Sequence, residues 1–137
     1  MPRRPRLALV TPYLADAGNG NWRTASRWAA LLAPHWDVRL SDRWEDGPEE
    51  AALMLHARRN AAAIAAWRAR RGGAPLVVAL TGTDLYRDIH EDAAARRSLD
   101  LADRLVVLNR HAPLDLPAPW RPKAVVCLQS CRAWRPR

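Results

Sequence analysis

The sequence predicts an α/β protein: a doubly wound parallel sheet of about six strands with helices on both faces. Short β-rich apolar runs alternate with segments whose apolar residues recur at helical spacing, the signature of repeated βα units. Most of the strand-like runs are apolar almost without interruption, as strands buried on both faces are. A chain of 137 residues, 49% hydrophobic, fits one domain with a single core. The expected strand order is 3-2-1-4-5-6 with right-handed crossovers.

Residues 6–11 (RLALVT) read as the first strand, ended by Pro12. After a loop holding Asp16, Gly18, Asn19 and Gly20, a helix begins near Asn21. Trp22, Ala25, Trp28, Ala29 and Leu32 form its apolar face, and Pro34 closes it. Residues 36–40 form a second strand, and the polar, acidic stretch 41–50 with Gly47-Pro48 is a loop. Residues 52–56 (ALMLH) are a third strand. Residues 57–71 are a helix ended by Gly72-Gly73. Residues 75–80 (PLVVAL) are the clearest strand, and they run into TGTDLYRDI. Residues 91–102 are a helix with Glu91 and Asp92 at its start, where the dipole favours anions. Residues 104–108 and 123–128 are two more strands, separated by a segment, 109–122, with four prolines that reads as loop with at most one turn.

The formal net charge is +8, and Lys123 is the sole lysine beside 21 arginines. Such a balance admits nucleic acid, a membrane surface or an anionic small ligand, or simply an Arg- and Ala-rich composition. No apolar run approaches the ~20 residues of a membrane span, and the basic MPRRPR start is followed by a strand, not by the apolar region of a signal peptide. A cytoplasmic location is expected. Cys127 and Cys131, spaced C-x3-C without a second Cys/His cluster, are expected to be reduced thiols, Cys127 as a small core residue. No metal site and no cofactor are expected.

In a doubly wound sheet, ligands bind beyond the carboxyl ends of the strands. Three loops there carry chemistry. The first holds GNGNWRT, whose glycines and helix start suit an anion, or else form a turn with Asn caps; Arg23 stands where a dinucleotide fingerprint needs its third glycine. The second holds His56, Arg58 and Arg59. His56 reads as a catalytic group or a hydrogen-bonded structural one. The two arginines, placed in the first turn of a helix, read as a fork for phosphate oxygens or as solvated surface. The third holds Thr81, Gly82, Thr83 and Asp84, with Asp84 either a general base or sugar-hydroxyl acceptor, or the cap of the following turn. Of the seven tryptophans, Trp22, Trp28, Trp36 and Trp67 are expected in the core. Trp44, Trp120 and Trp134 fall in loops and are candidates to stack on a ligand or a partner domain.

The runs LVTPYLADAGNGNWRTASRWAALL, LMLHARRNAAAIAAW, PLVVALTGTDLYRDI and SLDLADRLVVL together resemble the selenosugar synthases of selenoneine biosynthesis, which look like GT-B-type glycosyltransferases. The resemblance spans residues 7–130, and the ordered combination of NGNW, LHARR and TGTDLYRDI is its specific part. It implies a Rossmann-like domain, residues 1–129, forming the N-terminal, acceptor-binding half of a GT-B fold. Residues 130–137 would begin an interdomain linker, and the nucleotide-sugar domain is absent from this chain. The family joins selenophosphate to a sugar from a UDP-sugar. By the resemblance, Gly18, Asn19, Gly20, Asn21, Arg58, Arg59, Thr81, Gly82 and Thr83 would bind substrate, with Asp84 and His56 as the catalytic pair. The expected partners are selenophosphate, the UDP-sugar and the missing C-terminal nucleotide-binding domain, with neither membrane nor nucleic acid. The rival readings are an acceptor domain for an ordinary carbohydrate, or a non-enzymatic phosphate- or nucleic-acid-binding module.

Overall fold

The apolar runs form strands because each can bury both of its faces. The computed structural model describes residues 3–12 and 20–128. It contains β1 (Arg6–Val10), α1 (Gly20–Leu32), β2 (Asp37–Ser41), β3 (Ala51–Leu55), α2 (Ala61–Arg71) and β4 (Leu76–Leu80). A wide π-helical turn (Asp84–Asp88), α3 (Ile89–Glu91), α4 (Ala93–Leu101), β5 (Arg104–Val107), α5 (Ala112–Asp115), a 3-10 turn (Ala118–Lys123) and β6 (Ala124–Val126) follow. The strands form one six-stranded, all-parallel sheet, so the Rossmann-like doubly wound architecture stands.

The strand order is β2-β1-β3-β4-β5-β6, not the expected 3-2-1-4-5-6. The difference lies in the link from β2 to β3. It holds no helix, and it crosses the face opposite α1, where Trp44 meets the Trp67 ring of α2 edge-on, with centroids 5.2 Å apart. The Arg71 guanidinium of α2 donates to the Gly47 and Glu49 carbonyls of the same link. A crossover in the reverse direction on the reverse face keeps the same hand as β1-α1-β2. β3 therefore inserts directly beside β1.

Two cores follow from the alternation of side chains. Ala8, Val10, Met54, Val78, Leu105 and Val107 face α2, α4 and α5, with Ile64, Trp67 and Leu99 buried among them. Leu9, Leu55 and Ala79 face α1 through Ala25 and Trp28. Of the expected core tryptophans, Trp28 and Trp67 are buried, whereas Trp22 and Trp36 are half-buried. Trp44 and Trp120 pack half-buried against the larger core, and the Trp120 indole donates to the Asp100 carboxylate at 2.8 Å. Both rings keep part of their surface exposed, and Trp134 lies outside the described residues. Cys127 also departs from expectation: it follows the short β6 and is exposed.

Much of the basic excess is committed within the fold. Arg68 donates to the Leu101 and Gly72 carbonyls. Arg96 donates to those of Ile89 and His90, and Lys123 to those of Leu99, Asp100 and Ala102. These cations close helix ends and turns whose carbonyls have no partner within their own element. Among the described residues, no helix is long and apolar enough to cross a membrane.

Candidate functional site

With β1 beside β3, the order reverses between these two strands, and the crevice of such a sheet opens there. Asn60 sits in it, buried. Its side-chain amide donates to the last carbonyls of both strands, to Leu55 at 2.6 Å and Val10 at 3.2 Å. Thr11, fully buried, follows β1. Asn21 and Gly20 lie in the first turn of α1, while Gly18 and Asn19 fall outside the described residues.

The chain leaves β3 through His56, whose φ of 78° is the left-handed conformation that most residues avoid. That turn delays α2 to Ala61, so Arg58 and Arg59 precede the helix and are not in its first turn. The dipole objection to cations there falls away. His56 is 2% exposed, and its two ring nitrogens have different partners. Nδ1 accepts from the Arg59 backbone N–H at 3.1 Å, and Nε2 lies 3.0 Å from the Thr83 hydroxyl oxygen. Burial pushes the imidazole below its ordinary value of 6.5, further than the Asp84 and Asp88 carboxylates push it up, and the Arg58 and Arg87 guanidiniums add to the lowering.

Asp84 is not the free carboxylate that the motif suggested. It is fully buried, and its carboxylate accepts four backbone N–H groups. These are Thr81 at 3.0 Å, Gly82 at 2.9 Å and Leu85 at 3.0 Å on one oxygen, and Ala57 at 3.0 Å on the other. Asp84 therefore ties the turn after β4 to the turn after β3. It also occupies the Thr81 and Gly82 amides, so neither N–H is left to bind an anion. Gly82, with φ of 155°, shapes this tight exit from the strand. Thr83, the next residue, is exposed.

Asp88 and Asn60 are neighbours of these residues that sequence reasoning passed over. Asp88 is 3% exposed, 3.8 Å from His56 Nε2 and 3.0 Å from Arg58 Nε, a contact through charge without hydrogen-bond alignment. Arg87 Nε donates to its other oxygen at 3.2 Å. Burial pushes the Asp88 carboxyl up, but the Arg58 and Arg87 guanidiniums beside it outweigh burial and hold the group below the ordinary carboxylate range. The available signal was a second aspartate four residues after Asp84, which a single helical turn brings to the same side. Tyr86 is exposed on this edge, and its hydroxyl accepts from the Asn109 side-chain amide at 3.2 Å.

The lowered His56 value sets a pH dependence. The unfolded imidazole binds a proton more readily than the folded one, so this contribution is intact above the ordinary value of 6.5 and declines as pH falls below it. Urea midpoints should fall between about pH 7 and about pH 5, and His56→Asn should flatten that slope. Equal slopes for parent and variant would contradict the burial argument.

Set against protein-family models and curated proteins, the chain matches none.

Proposed function

We propose that this chain is the acceptor-binding half of a glycosyltransferase that joins selenophosphate to the sugar of a UDP-sugar, forming a selenosugar in selenoneine biosynthesis. One observation carries the reading. The three motifs that resemble selenosugar synthases emerge side by side, from the carboxyl ends of the neighbouring strands β1, β3 and β4. Arg58 and Arg59 thus follow the strand next to β1, one strand closer to the first loop than the expected order allows. Asn21 and the first turn of α1, the Arg58 guanidinium and the Thr83 hydroxyl offer donors suited to a small polyanion. The commitment of so many cations to carbonyls inside the fold weighs against a nucleic-acid-binding module.

In this reading the nucleotide belongs to a second domain, so the two substrates divide between two halves. Calorimetry on the chain should show binding of selenophosphate, or of thiophosphate as its stable analogue, and none of UDP. The chain alone should give no transfer from a UDP-sugar. Arg58→Ala should weaken the anion by about 10-fold, the value of one charge-assisted hydrogen bond. UDP binding without anion binding would reverse the assignment of halves.

A further inference from the structure

We infer that His56 positions Thr83 as a hydrogen-bond donor toward a phosphate-type oxyanion, so that the Thr83 hydroxyl, not the imidazole, touches the ligand. This inference rests on the anion-binding reading of the site and names the atom that reads the anion.

A backbone N–H can only donate. Because the Arg59 N–H points at His56 Nδ1, that nitrogen must carry a lone pair, and the ring proton of the neutral imidazole resides on Nε2. An imidazolium, protonated on both nitrogens, could not accept this bond. Nε2–H in turn faces the Thr83 hydroxyl oxygen at 3.0 Å, so the oxygen accepts and its own proton is left to donate. No acceptor takes that proton among the described residues, and Thr83 is exposed at the crevice edge. The direction is fixed along the whole chain of bonds, from Arg59 N–H to His56 and from His56 to Thr83. Each bond polarises the next.

The surroundings are arranged to hold that one tautomer. The left-handed φ of His56 turns its ring toward Thr83 while its own amide still donates to the Ala79 carbonyl at 2.9 Å. Asp84 fastens the two turns that carry the pair. Asp88, the nearest carboxylate to Nε2, is already engaged by Arg58 and Arg87. A general base would need a lone pair facing solvent, and neither nitrogen has one. The partner that suits a hydroxyl donor beside the Arg58 guanidinium is an oxygen that only accepts, as on a deprotonated phosphate, thiophosphate or selenophosphate.

Two measurements test this. Long-range 1H–15N correlation on the unmodified chain should show His56 as the neutral, Nε2-protonated tautomer at neutral pH. An Nδ1-protonated ring or an imidazolium overturns the inference before any ligand is added. Calorimetric titration with inorganic phosphate and thiophosphate then compares variants. Thr83→Val should weaken binding about 10- to 100-fold, and Thr83→Ser should stay within about threefold of the parent. His56→Asn tolerates the left-handed backbone and should match Thr83→Val, and the double variant should bind no worse than either single one. Additive losses, parental affinity in Thr83→Val, or no anion binding by the parent overturn the proposal. Anion binding with full coupling but no selenophosphate transfer in the complete enzyme would instead defeat the transferase reading and leave this pair intact.

Discussion

Asp84→Asn should destabilise the protein by about 3 kcal/mol and lower its Tm by roughly 10–15 °C. The carboxylate accepts four backbone N–H groups with both oxygens and is fully excluded from water. An asparagine of the same shape turns one accepting atom into a donor. Either the Ala57 N–H or the group of three on the other oxygen then faces an NH2, and a buried donor is left without a partner. The loss is structural, so it appears in thermal and urea unfolding without any substrate. A catalytic base, by contrast, is replaced at little cost to folding. A variant with the parental Tm would sink the structural role and restore Asp84 as a candidate for chemistry.

Trp67→Ala should cost about 3–5 kcal/mol, the range for removing a fully buried aromatic side chain. Trp67 has no exposed surface, and its indole N–H donates to the Ala74 carbonyl at 3.3 Å. The Trp44 ring meets it at an interplanar angle of 67°, and the Arg71 guanidinium lies 5.5 Å from its ring centroid. These contacts pin the helix-free link that carries the chain from β2 under β1 to β3. Amide exchange in residues 42–50 should therefore quicken in the variant beyond what global destabilisation accounts for. Trp44→Ala, which removes a half-buried ring, should cost less, about 1–2 kcal/mol, and the double variant should show coupling between the two rings. A Trp67→Ala chain within about 1 kcal/mol of the parent would mean that the ring is not what holds this crossing.

The strands were legible because burial on both faces leaves a local mark: RLALV, AALML and LVVAL hold almost nothing polar, and their limits fall within a residue of the expected ones. Their order was not. Whether a helix-free link of the length 42–50 passes over one face or the other depends on the fit of Trp44 against Trp67, far apart in sequence. The start of α2 was displaced for a similar reason. Residues 57–60 are compatible with helix, but the His56 conformation and the bonds from Ala57 and Arg59 to partners outside the helix hold them in a turn. Within the site, the motif residues 56, 58 and 83 do come together, yet their roles did not follow from their types. Asp84 has the chemistry of a base, and only its four partners reveal a tether. Asp88 and Asn60 act through contacts with other turns and strand ends, which no local spacing encodes.

The tether has a consequence for how ligand preference can change. In many phosphate-binding loops the backbone does the recognising, and a main-chain amide is the same whatever side chain it carries. Such a site is hard to retune by substitution. Here the protein's own carboxylate fills the main-chain cradle after β4, so under the proposed anion-binding role discrimination would pass to the exchangeable side chains at Arg58, Thr81 and Thr83. Thr83 can become serine, valine or asparagine without disturbing an amide that holds the fold. Under that role the scaffold and the reading head would be separable, and the choice of anion would drift by changes in single codons while the sheet beneath stays as it is.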